Sequence, residues 1–596
     1  MIETTKENQR ETQLAQNAQF IRSAYHKAVV TGMISILSVN INVFVDGILV
    51  GSRIGAEALA AINLSLPLYL ALCVVGAFLA AGTEIPAARA IGIGNTSKRD
   101  DYFCTGLNAS VLASLFITAL GLLLRRPLVA FLCADAAASG YVMQYVGITL
   151  IGALPKIVIY IPFWYLRLDG KNSAVTVMMT VMTVVNIVLD VLFVYYLDMG
   201  VFGAGLASVI ATALACCYGL ICLFSMGSPY RWRPTLGRGW NEWKTISAAG
   251  FPSAFNNLCQ TVRLLIVNSM LLTYGGADLV AVFTAVNGIW GFAECVTLGA
   301  PAAGSAMLGV FCGERDNGSC RLLLREEWKI GCISGGILLA LCAALSGVIP
   351  RMYGMSGSIL VPLLWMALSV FPALLLNIVS TYYNMASMNL WSNALILLRG
   401  IVTTYAALRL VIAVRFSTFS FLLLAELAAL LVWWCATWLH QRRRPQDSRY
   451  LMTDLANEKS GRVLNFSVTA DVDEIVSASE RISEFCAMNG MSGKETMRLE
   501  MSMEEVMTLI RQVNEEKSVH NLTFDLRAYA VYGVKGIRIR YNGIPFNPFN
   551  FSPGADDVGD DMFMGVRMIK RMVEMVNYQT AFGINTLQII LKEEEK

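Results

Sequence analysis

Val201–Phe224 reads VFGAGLASVIATALACCYGLICLF, an apolar run without a charged side chain. A helix of ~20 such residues spans a hydrocarbon layer of ~30 Å and satisfies its own backbone hydrogen bonds there. The stretch therefore predicts a transmembrane helix. Outward from it, comparable segments fill the chain from about Ala24 to Leu439. They begin near Ala24, Ala58, Phe103, Tyr141, Ser173 and Val201, then near Ile246, Leu279, Trp328, Ile359, Asn393 and Ser417. This pattern predicts an all-α membrane domain of about twelve helices. Composition agrees, with 56% hydrophobic and 15% charged residues among 596. A soluble chain this apolar would lack the polar groups to cover its surface.

Charge in the loops predicts orientation. Lys98, Arg99, Arg167, Lys171, Arg231, Arg233, Arg238, Lys244, Arg315, Arg321, Arg325 and Lys329 fall on the side of the N-terminus. The opposite side holds only Arg53, Arg125, Arg126, Arg351 and Arg415, and Arg442–Arg444 follow the last helix. Positive charge gathers on the cytoplasmic side of a membrane protein, so both termini are expected in the cytoplasm of a multi-pass protein of the inner membrane. The formal charge of +3 is small, and no nucleic-acid partner is expected. Fourteen cysteines sit mostly in apolar runs and only three histidines occur, so neither disulfides nor a zinc site is expected. Met1 to Ala24 is polar, with no apolar stretch ending in a cleavage site, and no removable signal peptide is expected.

The membrane region reads as a duplicated unit. Val45-Asp46-Gly47-Ile48-Leu49 with Gly55-Ala56-Glu57 is echoed by Val267-Asn268-Ser269-Met270-Leu271 with Gly276-Ala277-Asp278. Gly92-Ile93-Gly94-Asn95 is echoed near Gly309 to Glu314. Two six-helix halves of like orientation would enclose a cavity near the midplane. The expected divisions are a cytoplasmic tail (1–23), an N-lobe (24–225), a C-lobe (226–440), a basic linker (441–460) and a cytoplasmic α+β domain (461–596). In that last domain the order reads strand, helix, helix, strands, helix, strands. Its amphipathic helices are expected at Ala470 to Asn489, Gly493 to Asn514 and Asp561 to Val576.

Ionisable groups inside spanning helices cost a few kcal/mol each, so each needs a reason. Asp46 in the first helix and Asp190 in the fifth stand out, and Asn186 shares a helix face with Asp190. A carboxylate in a low-dielectric cavity can exchange a proton near neutral pH, or hold a sodium ion with amide and carbonyl oxygens beside it. Arg263 and Glu294 fall in neighbouring helices, as an ion pair or as cargo contacts. Glu84 lies near the end of the second helix. Lys156 stands beside the aromatic run Tyr160-Ile161-Pro162-Phe163-Trp164, placed to reach the surface by its long stem.

Val45-Asp46-Gly47-Ile48-Leu49-Val50-Gly51, Gly55 to Ala61 and Pro67 resemble the opening of multidrug and toxic compound extrusion (MATE) proteins. So do Ala88-Arg89-Ala90-Ile91-Gly92-Ile93-Gly94-Asn95, Arg167-Leu168-Asp169-Gly170, Asn186 to Asp190 and Gly200 to Gly205. The resemblance covers roughly residues 24–439. It implies antiport, in which protons or sodium ions enter while bulky lipophilic or cationic compounds leave, with Asp46, Asn186 and Asp190 as the cation-coupling cluster. No other cofactor is implied. The tenth helix, around Val361 to Met385, has no acidic residue for a C-lobe sodium site. The first helix lacks the proline that bends it in some proton-coupled members. A lipid-linked oligosaccharide flippase and a membrane-anchored signalling protein are the alternatives. No Walker-type phosphate loop is present, so transport driven by ATP hydrolysis is not expected, and the resemblance implies a secondary active transporter rather than an enzyme.

Leu499 to Val506, Tyr541 to Pro548 and Met564 to Met572 resemble the anti-sigma-factor kinases, within the histidine-kinase-like ATPase fold, over about residues 463–592. That resemblance implies a nucleotide site whose key positions are altered here. The magnesium-binding Asn expected four residues after Glu505 is Leu509. The adenine-reading Asp expected two residues before Gly543 is Tyr541, and the phosphate-loop Gly-x-Gly keeps only Gly565. The resemblance therefore implies a pseudo-kinase module without ATP binding, suited to a regulatory protein partner.

Overall fold

The computed structural model describes residues 21–38, 40–41, 56–93, 95–132, 136–225, 230–236, 239–347, 359–415, 417–445, 447–452, 460–519, 522–531, 534–549, 564–581 and 584–591. Two compact units emerge. One is Lys27–Ala436, and the other is Thr437–Lys596 with the described residues up to His26.

The first unit is helical. Its first part holds α1 (residues 21–38), α2 (Ala56–Ile93), α3 (Thr96–Leu123), α4 (Arg125–Leu132), α5 (Ala136–Ile151), α6 (Ala153–Val158), α7 (Tyr160–Leu168), α8 (Asn172–Asp190) and α9 (Gly200–Phe224). The remainder is α10 (Trp240–Thr297), α11 (Gly299–Gly313), α12 (Asn317–Leu345), α13 (Leu360–Met385), α14 (Asn389–Leu397), α15 (Thr403–Val414) and α16 (Phe421–Arg443), whose end runs into the second unit. Among the described residues nine helical stretches are long and apolar enough to cross a membrane. The count is ten when Gly140–Ile151 and Ala153–Leu168, bent by 57°, make one span. The expected starts near Ile246 and Leu279 both fall inside the single helix α10. Gly275 and Gly276 mark no break, because glycine weakens a helix by only ~1 kcal/mol and, unlike proline, keeps its N–H.

Two other helices begin earlier than their apolar windows suggest. Asn95 caps α3 by accepting from the Lys98 N–H, and Asp316 caps α12 by accepting from the Ser319 N–H. Each cap lies a few turns ahead of the apolar core, at Phe103 and at Trp328. A further turn recurs with the same bonds. Asp169, Gly170 and Lys171 donate to Tyr165, Arg167 and Leu166, while Ala386, Ser387 and Met388 donate to Tyr382, Asn384 and Tyr383. Gly170 (φ 75°) and Ser387 (φ 64°) take the same left-handed backbone there. Two π-helical segments interrupt the α-helices, Val191–Tyr196 after α8 and Leu398–Val402 before α15.

Helices in lipid gain little from apolar burial against each other, so small residues that admit close packing decide where they touch. A Cβ on Gly82 of α2 would lie 2.7 Å from the Ile246 carbonyl of α10, and one on Gly250 would strike the Phe78 carbonyl. A Cβ on Gly309 of α11 would lie 2.7 Å from the Ala88 methyl of α2. Arg89, at the end of α2, donates from Nε to the Met385 carbonyl (2.8 Å) and from Nη2 to that of Asn384 (3.1 Å), satisfying the C-terminus of α13.

The second unit is α+β, in the order read from the sequence. β1 (Val463–Thr469), α17 (Val472–Met488), α18 (Gly493–Glu516), β2 (Thr523–Val531), β3 (Val534–Tyr541), α19 (Met564–Met572), β4 (Val573–Ala581) and β5 (Ile584–Leu591) follow one another. The strands form one antiparallel sheet in the order β1-β2-β3-β5-β4. Phe524, Leu526, Ile537, Ile539, Leu587 and Ile589 alternate onto one face and share a core with Ile482, Phe485, Leu499, Met503 and Val506 of the helices. The helix expected over Asp561 to Val576 stops at Met572, because Val573 pairs with Leu591 as a strand.

Ser492 and Glu495 form a capping box at the start of α18, and Lys535 Nζ donates to Glu495 at 2.6 and 2.8 Å. Burial alone would raise the Glu495 carboxyl, but Lys535 and the Ser492 N–H outweigh it and hold the group below the ordinary carboxylate range. A carboxylate lowered in the folded state stabilises above its unfolded value and loses that contribution as pH falls through the folded one. Hydrogen exchange of α18 in the full chain is therefore expected to quicken as pH is lowered through the carboxylate range, after correction for intrinsic rates. Lys535→Met is expected to weaken that pH dependence, and an unchanged profile would show that the pair contributes nothing.

Candidate functional site

A cavity of about 500 Å³ opens among α2, α7, α10, α11, α13 and α14, a size suited to a drug-sized ligand. One wall is aromatic, with Tyr160, Phe163 and Trp164 of α7. Another is polar, with Asn256, Gln260 and Arg263 spaced four and three apart on one face of α10. Gly400, in the π segment, approaches α10 so closely that a Cβ would lie 2.9 Å from that of Cys259. This contact brings Arg399 to the same wall.

Charges in the cavity wall come from Glu84, Arg167, Arg263 and Arg399 among the described residues. Arg399 Nε donates to Glu426 Oε2 at 2.6 Å and Nη1 donates to Asn377 Oδ1. Asn377 in turn donates to the Thr297 carbonyl (2.8 Å). Arg263 takes part in no hydrogen bond or ion pair among the described residues, although Glu426, Arg399 and Glu294 are near enough to act on it through charge. Arg263 and Glu294, read as lying in neighbouring helices, both belong to α10, and the ion pair at this wall is the one between Arg399 and Glu426. Glu426 lies on α16. Across the cavity, Arg167 is 3% exposed, its guanidinium lies 4.2 Å from the Phe163 ring centre, and Nη1 and Nη2 have no hydrogen-bond partner. It is therefore no loop charge: it ends α7 inside the protein. Glu84 is fully buried, and neither carboxylate oxygen has a hydrogen-bond partner.

Asn186 and Asp190 are both buried, at 1% and 0% exposure, and neither lines the cavity. Asn186 Nδ2 donates to Ser208 Oγ on α9 at 3.4 Å, while its Oδ1 has no hydrogen-bond partner. Asp190 closes α8 where the π segment begins. On the same helix Thr176 and Thr183 donate to the Thr31 and Ser38 carbonyls of α1, at 3.2 and 3.0 Å. Asp46 lies outside the described residues.

Two residues depart from the sequence reading. Lys156 is 7% exposed, and its Nζ lies 5.2 Å from the Tyr69 ring centre, so it does not reach for the surface. Glu327 was hidden by a helix start placed at Trp328. It is fully buried in α12, with both oxygens lacking a hydrogen-bond partner, and occupies the hollow left by Gly304 of α11. The Asp316 cap is the signal that would have placed it inside the span.

In the second unit, Glu505 and Gly565 do come together: a Cβ on Gly565 would collide with the Glu505 carboxylate. Leu509 is a core residue at 2% exposure. Tyr541 is buried and donates its hydroxyl to the Phe546 carbonyl (2.7 Å); burial pushes that hydroxyl's pKa up. The Gly543–Ile544 turn is held from both sides. Asn514 Oδ1 accepts from the Ile544 N–H (2.8 Å) and Asn585 Nδ2 donates to the Gly543 carbonyl (2.7 Å).

A cavity with an aromatic wall and a polar, charged one, set among helices long and apolar enough to cross a membrane, is the mark of a membrane transporter. The MatE family model matches residues 33–192 and 252–416, more than half of the chain, once in each half. The chain belongs to the MatE family, whose members are secondary transporters and not enzymes. The FAD transporter of Shewanella oneidensis is 23% identical over 225 residues, covering 37% of this chain and 50% of the relative. The multidrug export protein MepA of Staphylococcus haemolyticus is 24% identical over 254 residues, covering 41% and 54%. The chain thus spans about half the length of the curated relatives it matches. Among solved structures, MATE in complex with MaL6 superposes with a TM-score of 0.65 at 22% identity, over 69% of this chain and 94% of that one. A MOP superfamily transporter of Pyrococcus furiosus, described by a reverse polarity of its binding pocket, gives 0.64 at 20%, over 71% and 97%. At these identities the likeness establishes the fold.

Removing one partner of a buried pair strands the other charge and costs about 3–5 kcal/mol, whereas removing both costs far less. Glu426→Gln is therefore expected to lower the unfolding temperature in detergent more than Arg399→Gln/Glu426→Gln together. Equal losses would show that the pair is solvated.

Proposed function

We propose that this chain is a cation-coupled exporter in the cytoplasmic membrane, both termini cytoplasmic, moving bulky amphipathic compounds through the central cavity. The observation that carries the reading is the separation of two buried polar sites. Asn186 and Asp190 lie at the junction of α8 with its π segment, away from the cavity that would take cargo. Antiport needs two seats whose occupancy is linked through conformation, and π turns recur where helices serve such sites. Asp46 joins the coupling group in this proposal on its sequence position, with a proton or sodium ion as the bound cation. Two relatives, a multidrug exporter and an FAD transporter, support export of sizeable amphipathic solutes.

For the second unit we propose a regulatory role without ATP chemistry, exerted through a protein partner. Leu509 buried in the core offers no magnesium ligand, and the Tyr541 hydroxyl is engaged by the Phe546 backbone.

In cells matched for membrane level, Asp190→Asn is expected to reduce efflux of a transported dye at least about tenfold, a loss of ~1.4 kcal/mol or more in coupling. Wild-type efflux should track either the proton or the sodium gradient. Full efflux by Asp190→Asn would remove that residue from coupling, and stoichiometric Mg-ATP binding by the full chain would overturn the pseudo-kinase reading.

A further inference from the structure

The cavity's charges and aromatic wall point to a cargo class. Three of the four charged side chains in its described wall are arginines. Their donors are not used up. Arg167 keeps Nη1 and Nη2 without acceptors although it is 3% exposed, and Arg263 makes no hydrogen bond at all among the described residues. Arg399 spends Nε on Glu426 and Nη1 on Asn377 and retains Nη2. A guanidinium presents paired N–H groups that match the oxygens of a phosphate or carboxylate. Arg263 and Arg399 share a wall with Asn256 and Gln260, whose amides add neutral donors. In the same cavity, Tyr160, Phe163 and Trp164 of α7 supply flat apolar surface. The only carboxylate in the described wall, Glu84, stands at the Arg167 end, where that guanidinium acts on it electrostatically. A lipophilic cation would meet a guanidinium at Arg263 whose hydrogen-bond donors are open although Glu426 and Glu294 act on its charge, and a neutral drug would leave those donors unpaired.

We infer that the cavity binds aromatic anions, soluble compounds with a planar ring system and a phosphate or carboxylate group, held by Arg263 and Arg399 with the ring against α7. This rests on the exporter reading for its purpose and replaces the lipophilic cation as the expected cargo. The preference for a soluble aromatic anion over a lipid-linked phosphate follows from the aromatic wall, which suits a rigid ring.

Binding is measured on the purified full chain in detergent, where no ion gradient is needed. A failure of coupling then leaves the result intact, and a failure here leaves the coupling reading intact. Carboxyfluorescein and rhodamine 6G share a xanthene ring and differ in charge. Riboflavin and riboflavin 5′-phosphate share an isoalloxazine ring and differ by the phosphate. The anionic member of each pair is expected to bind at least about tenfold tighter. Arg263→Gln is expected to erase that preference, and Arg263→Lys to retain most of it. Arg399→Gln/Glu426→Gln, which removes a pair without stranding a charge, is expected to weaken anion binding in a protein of unchanged elution profile. Tighter binding of rhodamine 6G, or an undiminished preference for the anions in Arg263→Gln, overturns the inference. Displacement by a prenyl phosphate at lower concentration than by riboflavin 5′-phosphate overturns the soluble class in favour of a lipid-linked one.

Discussion

The backbones of α2 and α10 meet at Gly82 and Gly250, and α2 meets α11 at Ala88 and Gly309, with no room for larger side chains. In a bilayer this contact is what dispersion and shape can hold together, because the lipid is as apolar as the helices. Much else depends on it. The crossing joins the two repeated parts and brings Arg89 to the end of α13. The three helices α2, α10 and α11 also line the cavity. Side chains that would be intolerable against lipid, Glu84 and Arg167 among them, are tolerable because the crossing turns them inward.

Polar groups in this interior fall into two kinds. Some are spent on fixed partners, such as the Asp316 carboxylate on Ser319 and the Asn377 amide on the Thr297 carbonyl. Others hold unspent hydrogen-bonding capacity, as do Glu84, Arg167, Glu327 and the Asn186 oxygen. The first kind fixes helix positions. The second stores an energetic cost that a bound ion or solute would relieve, so function concentrates there. Glu327 has no counterpart in the first half. Counting from the equivalent caps Asn95 and Asp316, it corresponds to Gly106, which packs against Thr83, while Gly304 takes the Thr83 position. The repeat has exchanged a small residue and a larger one across the same helix contact.

The membrane fold was legible because its cause is local: a run such as Val201–Phe224 has one stable arrangement in lipid. The burial of Asn186 and Asp190 was legible for the same reason, since both lie deep in such a run. Helix limits were less so, because hydropathy registers lipid contact while helix starts are set by caps such as Asp316. That difference concealed Glu327. Arg167 read as a loop charge because its burial depends on a fold of α7 against α2 that no short window records. The ion pair of Arg399 was illegible in principle, since Glu426 comes to it through packing between helices. In the second unit the alternation of Ile537, Arg538, Ile539 and Arg540 announced a strand, but the end of α19 was decided by pairing with Leu591, far along the chain.

The two π segments deserve a mechanical reading. Each widens its helix by a turn in which N–H groups bond one residue farther back than in the flanking α-helix. Such a turn is a dislocation in a one-dimensional crystal. It can migrate along the helix by exchanging one hydrogen bond for its neighbour, and each step rotates the intervening residue by about 100° without unfolding the rest. One dislocation begins beside Asp190 and the other contains Arg399. Their travel would swing these side chains between environments for the cost of a few exchanged bonds, giving a rigid bundle two adjustable screws.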